Sequence, residues 1–113
     1  MSRSVLLQLA RDSIQEVLEA KNTIQKDLLI AKHPLLNQIV PTDVKLYFEG
    51  ELRGSNQQVG IPLADAIIIG AKKAAFEDET QSPITTSEYL SCEVELTLHT
   101  TDGVISEKDK PIL

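Results

Sequence analysis

Residues 44–76, VKLYFEGELRGSNQQVGIPLADAIIIGAKKAAF, decide how this chain folds. Val44, Leu46 and Phe48 alternate with Lys45 and Tyr47, and a period of two describes a strand with one buried face. Glu49-Gly50 follows, and Gly50 supplies the positive φ that a tight hairpin requires. Leu52–Ser55 reads as the returning strand, and Asn56-Gln57-Gln58-Val59-Gly60 as a polar, turn-like loop. Pro62 to Phe76 is too long and too rich in alanine to be a strand. It reads as a helix, with Pro62 in the first turn, where a missing amide costs nothing. Leu63, Ile67, Ala71 and Ala74 form its main face, while Ile68, Ile69 and Phe76 fall elsewhere. Only a wedge of Asp65, Lys72, Lys73 and Glu77 is polar, so the helix is either deeply buried or covered by something else on its second side. Gly70 and the alanines permit close approach of a neighbour. Any site is expected where the loop Gly54 to Gly60 meets the start of this helix.

The flanking segments complete a mixed architecture. Residues 4–20 show the helical period, with Leu6, Leu7, Leu9, Ala10, Ile14, Val17 and Leu18 on one broad face. Gln8, Arg11, Asp12, Gln15, Glu16 and Glu19 lie opposite, Ser4 is placed to cap the first turn, and Asn22 is a plausible stop. Leu28–Ala31 fits helix or strand, and His33-Pro34 breaks it. Leu35–Ile39 suits a helical turn. Residues 80–83 form a turn, and Thr85-Thr86-Ser87-Glu88 has the spacing of a capping box for a short helix starting near Thr86. Residues 91–99 alternate most cleanly, with Cys92, Val94, Leu96 and Leu98 inward and Glu93, Glu95, Thr97 and His99 outward. Thr101-Asp102-Gly103 has hairpin chemistry, Val104-Ile105 returns, and Glu107–Lys110 reads as a charged tail. The expected fold is α+β: helices 4–20 and 62–76 on a mostly antiparallel sheet of 43–48, 52–55, 92–99 and 104–106.

Composition narrows the function. The 113 residues suit one domain with an ordinary core. Residues through Pro62 carry seven basic and seven acidic side chains, and those from Leu63 onward four and ten, so the second part carries the whole net charge of −6. An acidic second part without a basic stripe argues against nucleic acid. No apolar run is long enough to cross a bilayer, and Gln8 and Arg11 interrupt Val5-Leu6-Leu7 too soon for a signal peptide. A single cysteine, Cys92, points to a reducing compartment and hence the cytoplasm.

Chemistry-bearing motifs are sparse. No zinc pattern, nucleotide-binding glycine motif or nucleophile elbow occurs, and no metal or cofactor is expected. The amides of Gly54–Gly60 are placed to cradle an anion, without the lysine and hydroxyl of a phosphate loop. Ser55 becomes a nucleophile only beside a base. Arg53 carries a planar fork suited to carboxylate or phosphate, and its structural alternative is an ion pair with Glu49, Glu51 or Asp78. The candidate binding residues are Arg53, Gly54, Ser55, Asn56 and Asp78, and the only candidates for catalysis are Arg53 and Ser55.

A set of short motifs runs along nearly the whole chain: Leu9-Ala10-Arg11, Gly50-Glu51-Leu52-Arg53-Gly54, Pro62-Leu63, Ala74-Ala75-Phe76-Glu77-Asp78, Pro83-Ile84-Thr85 with Glu88, and Glu93-Val94-Glu95-Leu96. In order and spacing these resemble the AMMECR family. The family's cysteine falls on Ser55, its Ile-Gly on Asn56-Gln57, and its Arg-Phe after the helix on Thr80-Gln81. Family members usually continue further, so the resemblance implies a short, divergent member, a single domain over 1–113 lacking the family's C-terminal part. Members are often encoded beside, or fused to, proteins resembling dioxygenases and radical enzymes, which implies an accessory or modifying role. Loss of the cysteine implies that thiol chemistry is gone. The expectation is a non-catalytic binding, accessory or regulatory protein, with a second copy or a partner protein covering Ile69 and Phe76. The alternative is a small hydrolase or modifying enzyme using Ser55 with Arg53.

Overall fold

A computed structural model describes residues 3–112. Along the chain run α1 (Val5–Glu19), α2 (Lys26–Lys32), a 3-10 turn (Pro34–Asn37), β1 (Thr42–Phe48), β2 (Glu51–Gln58), α3 (Leu63–Phe76), α4 (Thr86–Ser91), β3 (Cys92–Thr100) and β4 (Gly103–Asp109). The strands form one sheet in the order β2-β1-β3-β4, antiparallel throughout. The hairpin β1–β2 turns through Glu49 (φ 53°) and Gly50 (φ 81°), the paired positive angles that match the twist of two adjoining strands.

Both long helices lie on one face of this sheet. α3 packs across β1 and β2, and α1 packs on α3 while reaching over β3 and the end of β4. The second side of α3 is therefore covered by α1, as its nearly all-apolar surface demanded. Val44, Leu46, Cys92, Val94, Leu96 and Leu98 point beneath the helices and are all buried. Gly70 brings α3 down on β1, since a Cβ there would stand 2.9 Å from Val44 Cγ2. Ile68 and Phe76 pack partly against the core, whereas Ile69 stays exposed. The other face of the sheet is open and polar, with Lys45, Tyr47, Glu93, Glu95 and Thr97 half-buried along it.

Local signals close the helices where chemistry requires. The Ser4 hydroxyl accepts from Leu7 N–H at 3.1 Å, and Thr85 and Glu88 form a reciprocal capping box at α4. α1 ends at Ala20 in a left-handed conformation, before the asparagine expected to stop it. Leu28–Ala31 resolves as helix. Cys92 is wholly buried, and that burial pushes its thiol up to about 11.

Several expectations need correction. The run after Ser55 is strand, not loop: β2 continues to Gln58, pairing with Thr42, and the chain turns only at Gly60 (φ 76°). Pro62 is the residue before the helix, not within its first turn. β4 reaches Asp109, so the charged tail is ladder. Arg11 and Glu16 are buried, although the wheel puts them on the solvent side. Glu16 accepts the amides of Thr23 (2.6 Å) and Ile24 (2.8 Å) and pairs with Lys72 (3.0 Å), closing the α1–α2 connection. Burial pushes its carboxyl up, but the bonds from Ile24, Lys72 and Thr23 outweigh this and hold it below the usual range.

Candidate functional site

The register of the hairpin places the candidate corner. Leu46 pairs with Gly54 and Tyr47 with Leu52, so Arg53 is the extra residue of a bulge. Gly54 is pressed against α3 so closely that a Cβ would collide with the Ala74 carbonyl oxygen. The bulge turns Arg53 off the ladder, towards the start of α4. Arg53 is buried, with 7% of the residue exposed. Arg53 Nε donates to Glu88 Oε2 (2.9 Å), and Nη2 to Glu88 Oε1 (3.2 Å) and the Ser82 carbonyl (2.8 Å). Nη1 is buried with no hydrogen-bond partner among the described residues.

The predicted partners of Arg53 were wrong, and the bulge is the reason. Glu49 and Glu51 stay exposed at the hairpin tip, Asp78 is bonded to Ser55 and Thr80, and Arg53 is buried against Glu88. Its partner, Glu88, was legible in the sequence only as the third residue of the capping box. One Glu88 oxygen also accepts from Thr85 N–H at 3.1 Å, so a single carboxylate holds both a helix start and a strand bulge. The Arg53 hydrogen bond lowers the Glu88 carboxyl to about 2, with help from the Thr85 amide. The same bond raises Arg53.

Asp78 serves the other half of the corner. Its Oδ2 accepts from Ser55 N–H at 3.0 Å, and its Oδ1 from Thr80 N–H (2.8 Å) and Thr80 Oγ1 (2.6 Å). The Thr80 hydroxyl, the Thr80 and Ser55 amides and the nearby charge of Arg53 together lower its carboxyl. The Ser55 amide that an anion cradle would use is therefore already taken by a carboxylate of the chain itself. The Ser55 side chain projects on the open face beside Lys45, at a shallow recess of about 220 Å³ that Asp43, Asn56 and Gln57 also line. Among the described residues its hydroxyl has no histidine or carboxylate as hydrogen-bond partner. His99 lies on the same face and bonds instead to Asp43 Oδ2 at 3.0 Å. Asn56 is occupied within β2, accepting from Gln58 Nε2 at 2.6 Å. No group of three or more His, Cys, Asp or Glu side chains placed to hold a metal occurs among the described residues.

A pH dependence follows from Glu88. Its folded value, about 2, lies below its ordinary 4.5, so its contribution to stability is complete above 4.5 and disappears as pH falls towards 2. The contribution is about 1 kcal/mol once solvent screening of this part-exposed carboxylate is allowed for. Denaturant unfolding between pH 5 and pH 2 should show a loss of stability that Glu88→Gln makes shallower. Asp78 and Glu16, both lowered, act with the same sign and leave a residual slope.

The family model AMMECR1 matches residues 7–110. The crystal structure of the uncharacterized protein PH0010 from Pyrococcus horikoshii superposes with a TM-score of 0.70 at 27% identity, over 82% of this chain and 48% of that one. The chain thus spans about half the length of this solved relative. Nothing among curated proteins matches.

Proposed function

Because the chain belongs to the AMMECR1 family, and its solved relative is itself uncharacterized, we propose a function from the corner: a non-catalytic binding protein that acts as an accessory or regulatory component. The observation that carries this is that the corner's reactive groups are taken up within the chain, with Arg53 Nη1 the one guanidinium nitrogen left over among the described residues. Glu88 occupies the Arg53 fork, Asp78 occupies the Ser55 amide, and the Ser55 hydroxyl stands without a base. An acyl-transfer nucleophile needs a general base within hydrogen-bond reach and donors left free for the developing oxyanion. Both kinds of group are spent here on holding β2 to α4 and to the segment after α3.

The partner, a second protein or a second copy, meets the chain at Ile69. This side chain is 38% exposed on α3, with Asp65 and Lys73 one turn away on either side, and Phe76 forms the half-buried margin of the same helix. No helix of the described residues is long and apolar enough to cross a membrane. The lone cysteine fits a reducing compartment, and we assign the protein to the cytoplasm.

The test uses the full chain in two ways. Immobilised in native extract, it should retain the same protein whether Ser55 is intact or replaced in Ser55→Ala, and lose it in Ile69→Glu. Incubation with a serine-directed fluorophosphonate should leave Ser55 unmodified. Labelling of Ser55, or retention that depends on Ser55 and not on Ile69, would sink the binding reading in favour of an enzyme.

A further inference from the structure

The two edges of the sheet differ. β2 is covered over its first half: it is bulged at Arg53, the Ser82 carbonyl is tied to it through that guanidinium, and Asp78 takes the outward amide of Ser55, leaving only the outward amide of Gln57 beyond. β4 is open. The turn Thr101–Asp102 closes on the pair Thr100–Gly103, so Gly103, Ile105, Glu107 and Asp109 direct their backbone groups at β3. Val104, Ser106 and Lys108 direct theirs outward, and among the described residues these have no backbone partner. Val104 and Ile105, adjacent and on opposite faces of the strand, are 64% and 54% exposed.

We propose that β4 is a self-association edge: two copies of this chain pair β4 against β4, antiparallel, about a two-fold axis through Ser106. This goes beyond the proposed binding role and does not depend on it. The strand is patterned for such a partner. Its first half is apolar, Val104-Ile105, and its second half is charged, Glu107-Lys108-Asp109. A two-fold through Ser106 sets one half against the other. Val104 then lies opposite the partner's Lys108, and Ile105 opposite the partner's Glu107, while each Lys108 ammonium stays over its own sheet, 4.5 Å from the Tyr47 ring centroid and 3.6 Å from Glu93. No like charges face each other. The edge also solves a problem of charge. Each copy carries a net −6, but along β4 and its exit Glu107 and Asp109 alternate with Lys108 and Lys110, so the copies meet where the local charge cancels. Because the two-fold contact uses the β4 edge of both copies, and the β2 edge is bulged and partly covered, pairing stops at two copies and does not grow into a ribbon.

Sedimentation of the full chain over rising concentration tests this. The average mass should climb from the 12.5 kDa of one chain towards twice that value. Ser106→Pro removes an outward amide, which an edge strand tolerates, together with an exposed hydroxyl contact to Thr97 Oγ1 (3.1 Å) that Ser106→Ala removes alone as the control, and should weaken association by about tenfold or more, since the two-fold axis counts each lost bond twice. Hydrogen exchange read at the same concentrations should show protection growing at Val104, Ser106 and Lys108. A constant mass up to about 1 mM, within the weak end of small interfaces, would overturn the proposal. So would association that Ser106→Pro leaves intact, or protection that grows elsewhere than on β4. If the proline variant fails to fold, the exchange pattern of the unaltered chain decides.

Discussion

Arg11→Met is expected to destabilise the domain by about 3–5 kcal/mol, the cost of breaking a buried charged network from one side. Arg11 has no solvent exposure. Its Nε donates to Asp109 Oδ2 at 2.7 Å, its Nη2 to the carbonyls of Cys92 (2.8 Å) and Lys110 (2.9 Å), and its Nη1 to the Tyr89 carbonyl (3.3 Å). The Tyr89 hydroxyl returns a bond to the Arg11 carbonyl, and the guanidinium lies 5.2 Å from the Tyr89 ring centroid. One side chain of α1 therefore ties down the end of α4, the start of β3 and the end of β4. Methionine fills similar space but leaves three carbonyls and a largely buried carboxylate without their donor, Arg3 alone standing near Asp109 at 2.8 Å. Urea unfolding of the two proteins measures the difference. Arg11→Lys should recover little, because an ammonium cannot reproduce the fork. A loss below about 1 kcal/mol in Arg11→Met would mean that the network does not hold the sheet to α1.

Gly54→Ala is the second large effect. The new methyl would collide with the Ala74 carbonyl oxygen, and both are backbone positions within packed elements. No side-chain rotation relieves this, so β2 and α3 must part, at about 3 kcal/mol or more, the upper end of overpacking costs. The glycine is needed for closeness and not for its backbone angles, since its φ is not among the positive ones. Gly70→Ala serves as the comparison. There the methyl meets Val44 Cγ2 at 2.9 Å, a buried side chain and not backbone, and the overlap is far smaller than at Gly54, so the expected cost is smaller. Thermal melts of both variants should rank Gly54→Ala well below Gly70→Ala. The reverse order would contradict the packing of the corner on α3.

The elements that could be read in advance are those with local signals. Alternation marks β1 and β3, paired positive φ marks the Glu49-Gly50 turn, and hydroxyl caps mark the starts of α1 and α4. The edge strands ran longer than expected because an edge needs no apolar alternation. Gln57 and Gln58 of β2, and Glu107 to Asp109 of β4, hold their places by ladder bonds that leave no trace in hydropathy. Arg11 was misplaced for a related reason. A helical wheel assigns every charge to solvent, and only the fold brings three carbonyls and Asp109 within reach of that guanidinium. At the corner, the residue types were legible but their pairings were not. Arg53 finds Glu88 thirty-five positions away, across a bulge whose extra residue has no sequence signature of its own. Asp78 reaches Ser55 because the Asp78–Thr80 turn folds back along the β2 edge.

Hydrogen exchange at the Ser55 amide tests the corner most directly. Ser55 and Gln57 both direct their amides away from β1, and of the two only Ser55 meets a carboxylate. At neutral pH the Ser55 amide should exchange more slowly than that of Gln57, and Asp78→Ala should bring the two rates together. Equal rates in the unaltered protein would show a corner open to an outside anion, and the case for a site satisfied by its own chain would fall with them.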